Sequence, residues 1–123
     1  MGRDTLQRRA IRNAFLKANR PLSPQEVLES ARAEAPRLGI ATVYRTIKHL
    51  REEGWLTVVE LPGESPRYEI AGKHHHHHFH CRTCGRVYEL EGCPVNMHKL
   101  APSGFRPEGH ELVLYGVCAE CDR

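Results

Sequence analysis

Two short motifs, Cys81-Arg-Thr-Cys84 and Cys118-Ala-Glu-Cys121, constrain this chain more than any other feature. Each C-x-x-C turn presents two thiols at one corner. Two such corners complete a four-sulfur tetrahedron, the geometry that suits zinc in a reducing compartment. A fold that satisfies both must bring distant residues to one point. Residues 85–117 between them are too many for the loop of a simple zinc ribbon and must form structure of their own. The residue pattern predicts a strand over 86–90, a short helix over 94–101 and a strand over 110–116. A redox C-x-x-C of the thioredoxin kind is the alternative, and the doubling of the motif argues against it. A disulfide framework is not expected in a reducing compartment, and the fifth cysteine, Cys93, has no knuckle partner.

Directly before the first knuckle stands "GKHHHHHFHC". If the run enters a strand, alternate residues point to opposite faces: His75 and His77 one way, His76 and His78 the other. An unbroken histidine run can therefore serve two separate ion sites. A purification tag has no reason to lie inside the chain against "FHC", and a disordered metal store fits poorly beside a knuckle. A catalytic centre is the reading from another class, namely a zinc-dependent hydrolase. That chemistry needs an open coordination position and a general base, and the chain has no H-E-x-x-H, no H-x-H-x-D-H and no nucleophile motif.

The charge is unevenly placed. Residues 1–72 carry 12 Lys/Arg against 9 Asp/Glu, and residues 73–123 carry 6 against 6, so the excess lies in the first part. Arg3, Arg8, Arg9, Arg12, Lys17 and Arg20 crowd its start with Asp4 as the one acid. Such an end suits a polyanion, or equally a solvated helix face. "TLQRRAIRNAFLKA" sets Leu6, Ala10, Ala14, Phe15 and Ala18 near one helical face. "SPQEVLESARA" opens a second helix with Ser23 as cap, Pro24 first and Glu26 completing a capping box. In "IATVYRTIKHLREEG", Ile40, Val43, Ile47 and Leu50 form a buried stripe and Gly54 stops the helix. Thr42, Tyr44, Arg45, Lys48, His49 and Arg51 lie away from that stripe, able to bond phosphates and base edges. "WLTVVEL" and "RYEIA", split by "PGESP", predict a hairpin. Three helices and a hairpin give the order of a winged helix-turn-helix whose third helix enters the major groove of double-stranded DNA. Arg12, Thr42, Tyr44, Arg45, Lys48 and His49 are the expected DNA contacts. A small helical core that binds another protein is the competing reading. No stretch is apolar for the length of a membrane span, and "MGRDTLQRR" is charged where a signal peptide is apolar, so a cytoplasmic protein is expected.

"GIATVYRTIKHLREEGWL", the histidine run before "CRTCG", "HELVLYGVC" and the closing "CAEC" together resemble the Fur family of bacterial metal-responsive transcriptional repressors. The likeness runs over nearly the whole chain. It implies an α+β fold: a winged helix-turn-helix DNA-binding domain over 1–72, then a small α/β metal-binding dimerisation domain over 73–123. It also implies a homodimer, a structural zinc on Cys81, Cys84, Cys118 and Cys121, and regulatory ion sites. By matching position, Glu69, His76, His78 and Glu89 fall on the family's hinge site, and His75, His77 and His110 on a second site.

Two departures bear on the metal. Iron- and peroxide-sensing members usually place a histidine just before the second helix, where this chain has Pro21. The second site usually takes a carboxylate from the helix. Counting back from His110 brings Cys93 to that position, or Asn96 if the gap lies after the helix. A thiolate is a soft ligand and three histidines with one cysteine suit tetrahedral Zn²⁺. The chain therefore looks most like a zinc uptake regulator, with iron-, manganese- or peroxide-responsive regulators, using Fe²⁺ or Mn²⁺, as alternatives.

Overall fold

The computed structural model describes residues 5–73, 76–92 and 96–122. The chain divides into two compact units, Met1–Lys73 and His74–Arg123.

In the first unit, α1 (Leu6–Ala18) begins where the Thr5 hydroxyl accepts the Arg8 N–H at 3.1 Å. It ends at Asn19, in the left-handed conformation that asparagine tolerates. α2 (Pro24–Ala31) carries the full capping box, with the Glu26 N–H donating to Ser23 Oγ at 3.2 Å and the Ser23 N–H to the Glu26 carboxylate at 2.9 Å. α3 (Ile40–Glu52) follows Gly39 with no side-chain cap, and Gly54 beyond it takes a φ of 82°, open to glycine at no steric cost. Ile11, Phe15, Val27, Leu38, Val43 and Leu50 interlock as one core. Two residues expected on apolar stripes do not join it: Leu6 and Ile40, each in the first turn of its helix, are exposed.

β1 (Leu56–Val59) and β2 (Arg67–Ile70) form an antiparallel hairpin with Leu56 opposite Ile70. Leu22, in the linker between α1 and α2, is tied to this hairpin. Its N–H donates to the Tyr68 carbonyl at 2.8 Å, and its own carbonyl accepts the Tyr68 N–H at 2.9 Å. Trp55 meets Phe15 edge-on, with ring centroids 6.3 Å apart. One Arg8 guanidinium nitrogen donates to both oxygens of Glu53 at 2.6 Å, joining the start of α1 to the end of α3.

The second unit is a three-stranded sheet in the order β4-β3-β5, made of β3 (His77–Cys81), β4 (Val87–Leu90) and, after the one-turn helix α4 (Met97–Leu100), β5 (Val113–Gly116). β3 runs antiparallel to β4 and parallel to β5. A parallel neighbour demands a crossover connection, and α4 lies within it. α4 is shorter than the residue pattern predicts, starting at Asn96, whose Oδ1 accepts the His98 N–H at 3.1 Å. β5 likewise begins at Val113 rather than at residue 110. Gly116 has a packing reason: a Cβ there would come within 3.2 Å of the Phe79 ring.

Among the described residues, the buried apolar groups of this unit are Cys81, Val87 and Cys118, while Leu100 and Phe105 are 75 % and 69 % exposed. So small an apolar interior needs metal or a partner chain to hold its fold. No helix of the described residues is long and apolar enough to cross a membrane.

Candidate metal centres

The clearest site lies where β3 ends and β5 has just ended. Cys81 closes β3, Cys84 follows in the turn, and Cys118 and Cys121 come after β5, so the parallel pairing of the two strands brings both knuckles to one end of the sheet. All four sulfurs lie within 4.8 Å of one another, and Cys84 Sγ and Cys118 Sγ are 3.9 Å apart. Tetrahedral zinc with Zn–S bonds of about 2.3 Å sets its sulfurs about 3.8 Å apart. The residues present therefore fit a four-thiolate ion.

Their electrostatics point the same way. The Cys81 thiol is lowered to about 6, chiefly by the Cys84 backbone N–H, with the Cys118 and Thr83 N–H groups adding to it against the effect of burial. The Cys118 N–H donates to Cys81 Sγ at 3.3 Å. Cys118 is lowered too, first by the Cys121 N–H. Cys121 is pushed up to about 12, first by its hydrogen bond with Cys118 and then by burial and the other sulfurs. Backbone donors thus favour thiolates at two positions while crowded sulfur disfavours a further negative charge. A divalent cation resolves that conflict.

His76, just before β3, and the histidines of β3 separate by alternation. On one face the rings of His76 and His78 meet edge-on at 4.9 Å, His76 Nε2 is 3.8 Å from Glu89 Oε1, and Glu89 pairs with His78 across the strands. On the other, His77 is buried and its Nε2 lies 3.0 Å from His110 Nε2. Two ring nitrogens that close share a proton or a cation. His75 and Cys93, expected to complete this second set, lie outside the described residues. Asn96, the other candidate for the helix position, caps α4 instead. Glu69 is a buried residue of β2 in the first unit, opposite Thr57.

Two neighbours of these sites carried no signal in the sequence. His80 is buried, with its ring edge-on to Tyr115 at 5.8 Å. Tyr88 hydrogen-bonds Cys118. A tyrosine on a strand reads as core, and its alternation with Val87 gave no reason to assign it to the sulfurs.

In the first unit Tyr44, Arg45 and Lys48 project from α3 into solvent, with Thr42 and His49 half-buried beside them. The Arg45 guanidinium donates to the Thr42 hydroxyl at 3.1 Å, which holds it along the helix. Arg51 instead leans over the Tyr68 ring, 5.7 Å from its centre. Arg12 on α1 is half-buried.

The sequence pattern of the ferric uptake regulator family matches residues 2–115. The ferric uptake regulation protein of Campylobacter jejuni is 32% identical, aligned over 96% of this chain and 78% of the relative. Among solved structures, a zinc-bound manganese uptake regulator superposes with a TM-score of 0.85 at 28% identity, covering 94% of this chain and 90% of that one. The Helicobacter pylori ferric uptake regulator, reported with three functional metal binding sites, superposes with a TM-score of 0.72 at 27% identity over 98% and 83% of the two chains.

Proposed function

This chain belongs to the ferric uptake regulator family and is a metal-responsive transcriptional regulator rather than an enzyme; from that premise we propose that it is a cytoplasmic homodimer that represses metal-uptake genes and responds to zinc. The observation that carries the reading is the sorting of the histidines at the start of β3 and just before it: His76 and His78 gather with Glu89, and His77 with His110, apart from the four sulfurs. Three roles are assigned. Cys81, Cys84, Cys118 and Cys121 hold a structural zinc. Glu69, His76, His78 and Glu89 hold a regulatory ion, and His75, His77, Cys93 and His110 hold a second. Pro21 in place of a histidine and a thiol at residue 93 both favour zinc over the harder Fe²⁺ and Mn²⁺. The iron and manganese regulators among its relatives support those ions as the second reading.

Without the regulatory ion, few dimers hold both reading helices at the spacing of two operator half-sites. An ion bound by Glu69, His76, His78 and Glu89 cross-links ligands from both units and so raises the competent fraction. Arg12, Thr42, Tyr44, Arg45, Lys48 and His49 then engage double-stranded operator DNA, the third helix in the major groove. Ion binding and DNA binding strengthen each other by the same factor. Metal analysis of untagged protein, paired with operator binding under titration with Zn²⁺, Fe²⁺ and Mn²⁺, tests this. Zinc should drive binding at the lowest free concentration. Activation by Fe²⁺ or Mn²⁺ at lower free concentration would establish the second reading, and operator binding indifferent to all three would overturn both.

A further inference from the structure

We propose that Tyr88 is an outer hydrogen-bond donor to the four-cysteine site, a positioning residue that sets how tightly the site holds its ion. Tyr88 stands on β4 opposite Phe79. Together with Phe79, Val117, Cys118, Ala119 and Glu120 it lines a cavity of about 350 Å³. Its hydroxyl hydrogen-bonds Cys118 and meets the Arg86 guanidinium, which in turn is held by the Glu120 carboxylate at 3.2 Å. A polar chain, Glu120–Arg86–Tyr88–Cys118, thus runs from the exposed surface to one sulfur of the four. In this bond the phenol O–H donates and the Cys118 sulfur accepts.

Four thiolates around a divalent ion carry two surplus negative charges, and hydrogen bonds to the sulfurs are what offset them. Cys81 receives its bonds from backbone N–H groups of Cys84 and Cys118, which a change of side chain other than to proline leaves in place. Cys118 receives one from the Cys121 backbone and one from Tyr88, a side chain. Tyr88 is therefore a point at which the site can be tuned without changing a ligand. Removing the donor leaves the Cys118 sulfur more electron-rich and its share of the surplus charge uncompensated.

The inference rests on the four cysteines holding a divalent ion. The test uses full-length protein loaded with Zn²⁺ or Co²⁺. Tyr88→Phe keeps the ring and deletes the hydroxyl. By chelator competition it should hold Zn²⁺ about 10–100-fold less tightly, the usual cost of an outer partner. In the Co²⁺ form its thiolate-to-cobalt charge-transfer band should move to lower energy. Fluorotyrosine placed at residue 88, a stronger donor of nearly the same shape, should move the band the opposite way and serves if the phenylalanine variant does not fold. Arg86→Met should shift the band as Tyr88→Phe does, but less. Unchanged affinity and an unchanged band in the Tyr88 variants, with the parent protein binding the ion, would overturn the role of Tyr88. A parent protein that binds no ion at the four sulfurs would overturn the site itself.

Discussion

At the scale of single residues, the cysteines divide into four whose geometry explains them and one that chemistry must test. The 3.9 Å between Cys84 and Cys118 matches sulfurs sharing one tetrahedral ion, and a closed thiolate site supplies folding energy that the small apolar interior lacks. Cys118→Ser is accordingly expected to retain less than one tightly held zinc per chain and to lose the dimer, both measurable by metal analysis and analytical ultracentrifugation. A folded dimer with full metal content would contradict the structural role. Cys93→Ser should keep the structural zinc and the dimer, need more zinc to bind operator DNA, and discriminate less between Zn²⁺ and Mn²⁺ in the same titration. An unchanged zinc titration would remove Cys93 from the second site. The four knuckle cysteines were legible in sequence because a ligand pair two residues apart is fixed by local turn geometry. The split of the histidines was legible because a strand has a period of two. Tyr88 and His80 were not, since their roles depend on which strands lie beside β3, and that is set by the long crossover to β5.

At the scale of elements, the three helices and the hairpin followed from caps and periodicity, the strongest local signals. What escaped were isolated long-range ties: the bridge from Leu22 to Tyr68 and the pair from Arg8 to Glu53. Neither repeats along the chain, so neither leaves a pattern. The second matters for how α3 is presented. Arg8 counts among the basic residues of the chain's first segment, yet it is 9 % exposed and engaged by Glu53. Arg45 projects from α3 into solvent, steadied by its hydrogen bond to Thr42. The two arginines should therefore fail differently. Arg45→Ala should cost about 1–3 kcal/mol of operator affinity and relax base preference, with metal content intact. Arg8→Ala should weaken binding without lowering the dependence on salt, because a residue already neutralised releases no counterion. Exchanging the two charges, Arg8→Glu with Glu53→Arg, should restore part of that loss. A salt slope that falls by about one in Arg8→Ala would show that Arg8 contacts phosphate after all.

At the scale of the whole molecule, the two units differ in what sustains them. The first has a full apolar core and the second a few buried groups around sulfur. Removing metal with a strong chelator under reducing conditions should therefore abolish the near-ultraviolet dichroism of the second unit's tyrosines while most of the helical signal of α1, α2 and α3 persists. Loss of all structure in one step would show that the first unit does not stand alone. The parallel pair of β3 and β5 ties two of the side-chain clusters together. His77 opens β3 near His110, and Cys81 closes it near Cys118, so one strip of sheet carries a cluster of nitrogen side chains at one end and of sulfur side chains at the other. In mechanical terms the strip is a beam with a rivet at each end. The register of β3 against β5 is common to both, and a slip of one residue would part the histidine pair and the sulfurs together.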